Sequence, residues 1–113
     1  MHEMSLTESV IAIIEDAAKT QGFKRVKTVV LEIGQLSHAS PEAMAFCFEA
    51  VSHGTIAEGA RLDIQRPPGA GWCMDCAATI EMSDRYAACP HCGQFRVQLT
   101  GGDAMRVTEL EVE

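Results

Sequence analysis

The chain has 113 residues, 47% of them hydrophobic, and a formal net charge of −7. That length suits one compact domain with a small appendage, and the apolar content argues against disorder. The acidic balance excludes nucleic acid as the expected partner, because phosphate binding needs clustered Lys and Arg. No apolar run approaches a membrane span, and the N-terminus lacks a basic stretch followed by an apolar one, so a cytoplasmic protein is expected. Five cysteines in a reducing compartment point to metal ligation before disulfides.

Residues 5–22 read as a helix. Ser5 and Glu8 have capping-box spacing, and Leu6, Val10, Ile13, Ile14 and Ala17 recur at helical spacing as one apolar face. Gly22 is a stop that favours a left-handed conformation. Residues 26–33 read as a strand, with Val26, Thr28 and Val30 on one face and Val29, Leu31 and Ile33 on the other. Both faces are largely apolar, which predicts a central strand covered by helix on at least one side.

Ser40-Pro41-Glu42 marks a second helix start: an N-cap hydroxyl, a proline at the first helical position and an acid in the first turn. Met44, Phe48 and Val51 form its apolar stripe, and His53-Gly54 ends it. Residues 61–66 alternate Leu62 and Ile64 against Arg61, Asp63 and Gln65, a half-buried strand. A last strand runs over 105–112, where the apolar phase slips near Glu109 and predicts a bulge or a change of face. Helix, strand, helix, strand, insert, strand is a small α/β or α+β arrangement. Its two helices accompany a mixed three-stranded sheet, in which a right-handed crossover makes the first two strands parallel.

Between the last two strands the character changes. Pro67-Pro68-Gly69 opens the stretch, Gly101-Gly102 closes it, and all four paired cysteines lie inside. The expected division is residues 1–67 with 100–113 as the α/β domain, and 68–99 as an inserted zinc-ribbon-like module. Cys73-Met74-Asp75-Cys76 and Cys89-Pro90-His91-Cys92 are two C-x-x-C knuckles. The two-residue spacer lets both thiolates of a knuckle reach one ion, and two knuckles complete a tetrahedron with no position left for a substrate. Gly93 lets the chain turn behind the second knuckle. The insert's large apolar residues, Trp72, Ile80, Tyr86, Phe95 and Val97, are too few for an independent core, so the metal is expected to organise it. Iron is the competing occupant of such a site, and Cys89-Pro90-His91-Cys92-Gly93 also resembles a rubredoxin knuckle, although the rest of the chain does not.

Other candidate ligands are weaker. Cys47 stands alone in the second helix and reads as a small core residue. His38 and His53 flank that helix as surface or capping residues, and His91 between two cysteines reads as exposed. Met44 and Met105 read as core filler. His2 is different because of its place. A free Met1 amine, the His2 amide and imidazole nitrogens and the Glu3 amide can form a square of nitrogen donors suited to Ni(II) or Cu(II). Against this, a histidine at position 2 is ordinarily a plain terminal residue.

Met1-His2-Glu3-Met4-Ser5-Leu6, the run Val30 to Ser37, Pro41-Glu42-Ala43, Glu58-Gly59-Ala60 and the paired knuckles together closely resemble the HypA/HybF hydrogenase maturation proteins, over essentially the whole chain. The resemblance implies a nickel chaperone that carries Ni(II) as cargo to the large subunit of [NiFe]-hydrogenase and works with the GTPase HypB, some relatives also serving urease. It implies nickel ligands in His2, Met1 and Glu3 and structural zinc on Cys73, Cys76, Cys89 and Cys92. The chain departs from relatives with histidines flanking both knuckles: none stands beside Cys73 or Cys76. An exchange of thiolate for imidazole at both knuckles is therefore not expected. Two other readings compete: a zinc-ribbon adaptor with no transported metal, and an iron electron carrier, which colour would distinguish. Nothing pairs a nucleophile with a base, so no enzyme is expected.

Overall fold

The computed structural model describes residues 3–113. Met1 and His2, and with them two of the three expected nickel-binding residues, lie outside the described residues. The elements run α1 (Glu3–Gln21), β1 (Val26–Ile33), α2 (Pro41–Ser52), β2 (Arg61–Gln65), β3 (Gly69–Cys73), β4 (Ala78–Met82), β5 (Val97–Gly101) and β6 (Met105–Val112). They form an α+β fold with two three-stranded sheets, ordered β2-β1-β6 and β4-β3-β5. The chain divides into two compact units: Met1–Glu32 with Ala39–Gln65 and Arg106–Glu113, and Ile33–His38 with Arg66–Met105. Among the described residues no helix is long and apolar enough to cross a membrane.

In the first unit β1 is central, as its two apolar faces predict. It pairs parallel with β2, Thr28 opposite Arg61 and Glu32 opposite Gln65, so α2 is the crossover. On the other side the cross-strand partners of β6 descend along β1. Arg106 reaches Glu32 at 3.1 Å, Thr108 donates to the Val30 carbonyl at 3.4 Å, and the Glu113 amide donates to the Arg25 carbonyl at 2.9 Å. That progression is antiparallel and makes the sheet mixed. Along β6, Met105 and Val107 are half-buried, Thr108 and Glu109 are both exposed, and Leu110 is half-buried again. The burial phase thus shifts where the apolar pattern slips. Met105 is half-buried rather than core.

α1 starts two residues earlier than its capping-box spacing predicts. Ser5 lies inside the helix, where its carbonyl accepts from the Ser9 hydroxyl at 3.1 Å, so no Ser5–Glu8 box forms. The buried stripe is Thr7, Val10, Ile11 and Ile14, while Ile13 is 51% exposed. Hydropathy alone discounts a threonine, but Thr7 is fully buried because its hydroxyl donates to the Glu3 carbonyl at 2.6 Å. The helix therefore turns its 7/10/11/14 face toward α2. Gly22 follows the helix at φ +77° and donates to the Ala18 carbonyl at 2.8 Å, the expected left-handed stop.

α2 begins as its sequence predicts. Ser40 is the N-cap at φ −82°, ψ 122°, its hydroxyl accepts the Ala43 amide at 3.3 Å, and Pro41 follows. Met44, Cys47 and Phe48 are buried, Val51 is half-buried, and His53 is the C-cap.

In the second unit β3 lies between β4 and β5 and is antiparallel to both. None of these three strands is predicted from hydropathy. β3 carries Gly69 and Gly71 where a strand ordinarily carries bulky residues. Space explains Gly71: a Cβ there would collide with the Met82 sulfur and come within 2.7 Å of Val97. The core of the unit is Leu36, Ile80, Met82, Cys73 and Cys89, with Val97 and Leu99 packed against it. Of the aromatics expected to fill it, none does: Trp72 is 42% exposed, Phe95 74% and Tyr86 86%.

Cys47 is buried in α2 and is not a member of the four-cysteine cluster. Cys47→Ala should cost about 1–2 kcal/mol in denaturant unfolding, near the small end of core truncations. Metal content should stay the same when measured by atomic emission.

Candidate metal centre

The four paired cysteines converge. The sulfurs of Cys73, Cys76, Cys89 and Cys92 all lie within 4.8 Å of one another. β3 delivers Cys73 at its last residue, the turn into β4 delivers Cys76, and the loop before β5 delivers the second knuckle. Across the knuckles Cys73 and Cys92 are 3.6 Å apart, and Cys76 and Cys89 3.9 Å. A tetrahedron with metal–sulfur bonds of 2.3 Å has edges of about 3.8 Å. The donor set therefore fits a tetrahedral thiolate-bound ion, with no disulfide among the five cysteines.

The knuckles are built alike. In each, the first sulfur is buried and the second exposed. The buried sulfurs accept backbone amides: Cys76 donates to Cys73 at 3.4 Å, and His91 donates to Cys89 at 3.4 Å. Such donors stabilise thiolate charge around an ion. Each knuckle is followed by a left-handed residue, Gly93 at φ +74° and Ala77 at φ +53°. Gly93 also donates to the Cys89 carbonyl at 2.8 Å, which closes the turn. Spacing alone reveals Gly93; nothing in the sequence marks Ala77 as its counterpart. Also unforeseen is the ion pair of Asp75 with Arg96 at 3.1 Å, which ties the first knuckle to the segment between the second knuckle and β5. The Met74 amide donates to the Arg96 carbonyl at 2.9 Å beside it.

Four sulfurs this close share protons unequally. The Cys92 amide pulls the Cys89 thiol down, against burial and with help from the His91 amide, from 9.0 to about 6. The Cys92 side chain pushes Cys76 up, with Cys73 adding, to about 12. At Cys92 the Gln94 amide pulls downward, but burial and the Cys73 thiol outweigh it and the thiol moves up. Backbone amides thus favour the ionised form of Cys89, while the neighbouring thiols favour the protonated form of Cys76, whose proton an incoming ion must displace.

The remaining candidates stay outside this site. His91 is exposed and contributes only its amide. His38 is exposed, and His53 faces Glu58 at 2.8 Å on the surface. Among the described residues the cysteines are the one converging group of three or more potential ligands. The carboxylate of Glu3 accepts the Ser40 amide at 3.2 Å.

Fold and site together define a small α+β protein in which a closed four-thiol metal centre resembling a zinc ribbon is set between two strands of the sequence. The profile of the family described as hydrogenase/urease nickel incorporation metallochaperone, HypA, matches residues 1–112. The chain is 59% identical to the hydrogenase maturation factor HypA of Dechloromonas aromatica over 113 residues, all of both chains. It is 56% identical to that of Methylocella silvestris, again over all of both chains. The solution structure of the Ni metallochaperone HypA from Helicobacter pylori superposes with a TM-score of 0.74 at 30% identity, covering 99% of this chain and 97% of that one. This chain belongs to the HypA family of metallochaperones and maturation factors, which are not enzymes.

Two measurements probe the centre. Beyond its own chain neighbours nothing lies within 4 Å of a Cβ built on Gly93, so Gly93→Ala carries only the left-handed backbone penalty and should lower the stability of this unit by about 1 kcal/mol. Ala77→Gly relieves the same strain and should raise it by a similar amount, read as shifts in thermal unfolding of metal-loaded protein. The second is pH. A lowered Cys89 pKa stabilises the metal-free fold fully above 9.0 and loses that stability as pH falls to about 6. The raised Cys76 pKa acts in the opposite sense, its stability present below 9.0 and lost as pH rises through about 12. Chelator-treated, reduced protein should therefore grow more stable from about pH 6 to 9 and less stable above. Cys89→Ser should flatten the lower limb, and an unchanged limb in that variant would contradict the assignment.

Proposed function

We propose that this protein is a nickel metallochaperone for the large subunit of [NiFe]-hydrogenase. What carries the reading is the family match over residues 1–112, whose description names nickel incorporation. The names of its relatives, hydrogenase maturation factors, support the acceptor. A HypB-type GTPase is the proposed working partner, and urease maturation proteins are a second set of partners consistent with the family description. The setting proposed is the cytoplasm, where thiols stay reduced.

The two metals have different tasks. Zinc is assigned to Cys73, Cys76, Cys89 and Cys92, as the resident ion that holds the β3–β5 unit together. Four thiolates leave it no open position, so it is structural. The sulfur–sulfur spacing supports this without separating zinc from iron, and colourless protein would do so. Nickel is cargo. Its proposed donors are the Met1 amine, the His2 amide and imidazole nitrogens and the Glu3 amide, a square of nitrogens that suits Ni(II). A chelate at the chain end can be approached by an acceptor's own ligands one at a time, which favours transfer over retention. The nickel role belongs to the unit containing α1, and the zinc role to residues 68–99 within the second unit.

The test uses protein whose chain starts at an unblocked Met1. Nickel titration by calorimetry should give one tight site, weakening as pH falls through the histidine and amine range because the donors must lose protons. Adding one residue before Met1, or His2→Ala, should abolish tight nickel binding and leave about one zinc per chain. The nickel complex should be yellow and diamagnetic. Equal nickel affinity in all three proteins would sink the terminal chelate.

A further inference from the structure

α2 carries half of a capping box. In that motif the N-cap hydroxyl accepts the N3 amide, and an N3 glutamate reaches back to the N-cap amide. Ser40 performs the first half, accepting the Ala43 amide at 3.3 Å. Position N3 is Ala43, which has no carboxylate to return the second bond. Glu3 supplies it from the other helix: its Oε2 accepts the Ser40 amide at 3.2 Å. A carboxylate there also faces the positive end of α2. The backbone of Glu3 is held as well. Its carbonyl accepts the buried Thr7 hydroxyl at 2.6 Å, and that hydroxyl touches the Met44 sulfur of α2 at 3.8 Å. The third residue of the chain is thus fixed through both its side chain and its main chain, and His2 is bonded directly to it and Met1 to His2.

We propose that Glu3 completes the capping box of α2 from α1, and that this contact makes its carboxylate the positioning group of the terminal nickel chelate rather than a nickel ligand. The inference rests on the nickel reading above. A chelate of backbone and imidazole nitrogens needs donors from Met1 to Glu3 brought to the corners of one square. Tethering Glu3 fixes one of the donor residues before nickel arrives, and preorganisation of this kind appears as affinity. The carboxylate is engaged by an amide donor, and the four nitrogens already satisfy a square-planar ion.

The experiment compares wild type with Glu3→Ala, Glu3→Gln and Ser40→Ala, each starting at an unblocked Met1 and each checked for retained zinc. Ser40→Ala keeps the Ser40 position's amide and its bond to Glu3 but loses the hydroxyl half of the box. In metal-free protein the residue-40 amide proton resonance should move upfield in Glu3→Ala and stay near wild type in Glu3→Gln, whose side-chain carbonyl still accepts. On titration, Glu3→Ala should bind nickel about three- to tenfold more weakly, with the absorption spectrum of the wild-type complex. Glu3→Gln should lie within about twofold of wild type. Ser40→Ala should melt earlier yet bind nickel as wild type does, which separates positioning from general loosening of α2. Wild-type affinity in Glu3→Ala overturns the proposal. So does an altered nickel spectrum in both Glu3 variants, which would make the carboxylate a ligand, or weakening in Ser40→Ala equal to that in Glu3→Ala. Wild-type protein that takes up no nickel would overturn the nickel reading and the positioning role with it, while the metal-free resonance decides the capping contact separately.

Discussion

The second unit depends on bringing four sulfurs to the corners of one small tetrahedron. Its apolar core is slight, and two of its buried members are themselves the cysteines Cys73 and Cys89. The same atoms therefore serve as packing and as ligands. That economy is available because thiols bury like small hydrophobes when protonated and bind ions when not. Much of the surrounding architecture accommodates the constraint. β3 is thinned to Gly69-Ala70-Gly71 ahead of Cys73, and both knuckles end in a left-handed residue. Backbone amides turn toward the sulfurs that are shielded from water.

The first unit follows a different rule. Its sheet is closed by burial on β1, where Val26, Val29 and Leu31 are enclosed, and by helices whose termini are chemically specified. Here the polar groups matter as exceptions that are satisfied. Thr7 enters the core with its hydroxyl bonded, and the head of α2 has both capping bonds filled, one of them from a residue 37 positions away in the chain.

Much of this was legible in the residues, for local reasons. β1 and α2 emerge with their observed limits because β1 is apolar on both faces and Ser40-Pro41-Glu42 is an unambiguous start. The cysteine spacing reads directly as one metal centre. What stayed hidden depends on partners distant in sequence. Ser5 and Glu8 have the spacing of a cap, but the residue that meets a helix head is Glu3, and it meets the other helix. The buried face of α1 is offset from its hydropathy stripe because Thr7 joins it with its hydroxyl bonded. The strands of the metal-binding unit carry no clear hydropathy signal, because glycines and an exposed Trp72 break the alternation of β3.

The sheet of the first unit has an order of assembly written into its connectivity. β6 pairs with β1 across the whole of the second unit's sequence: Arg106 meets Glu32 at a separation of 74 residues, and Thr28 meets Glu111 at 83. Closing so long a loop is a slow, non-local step. During synthesis all four metal-binding thiols are made before β6 exists to complete that sheet. Metal capture can thus precede closure of the first sheet, and a chain starved of metal at that moment would carry unliganded thiols together with an unpaired edge of β1.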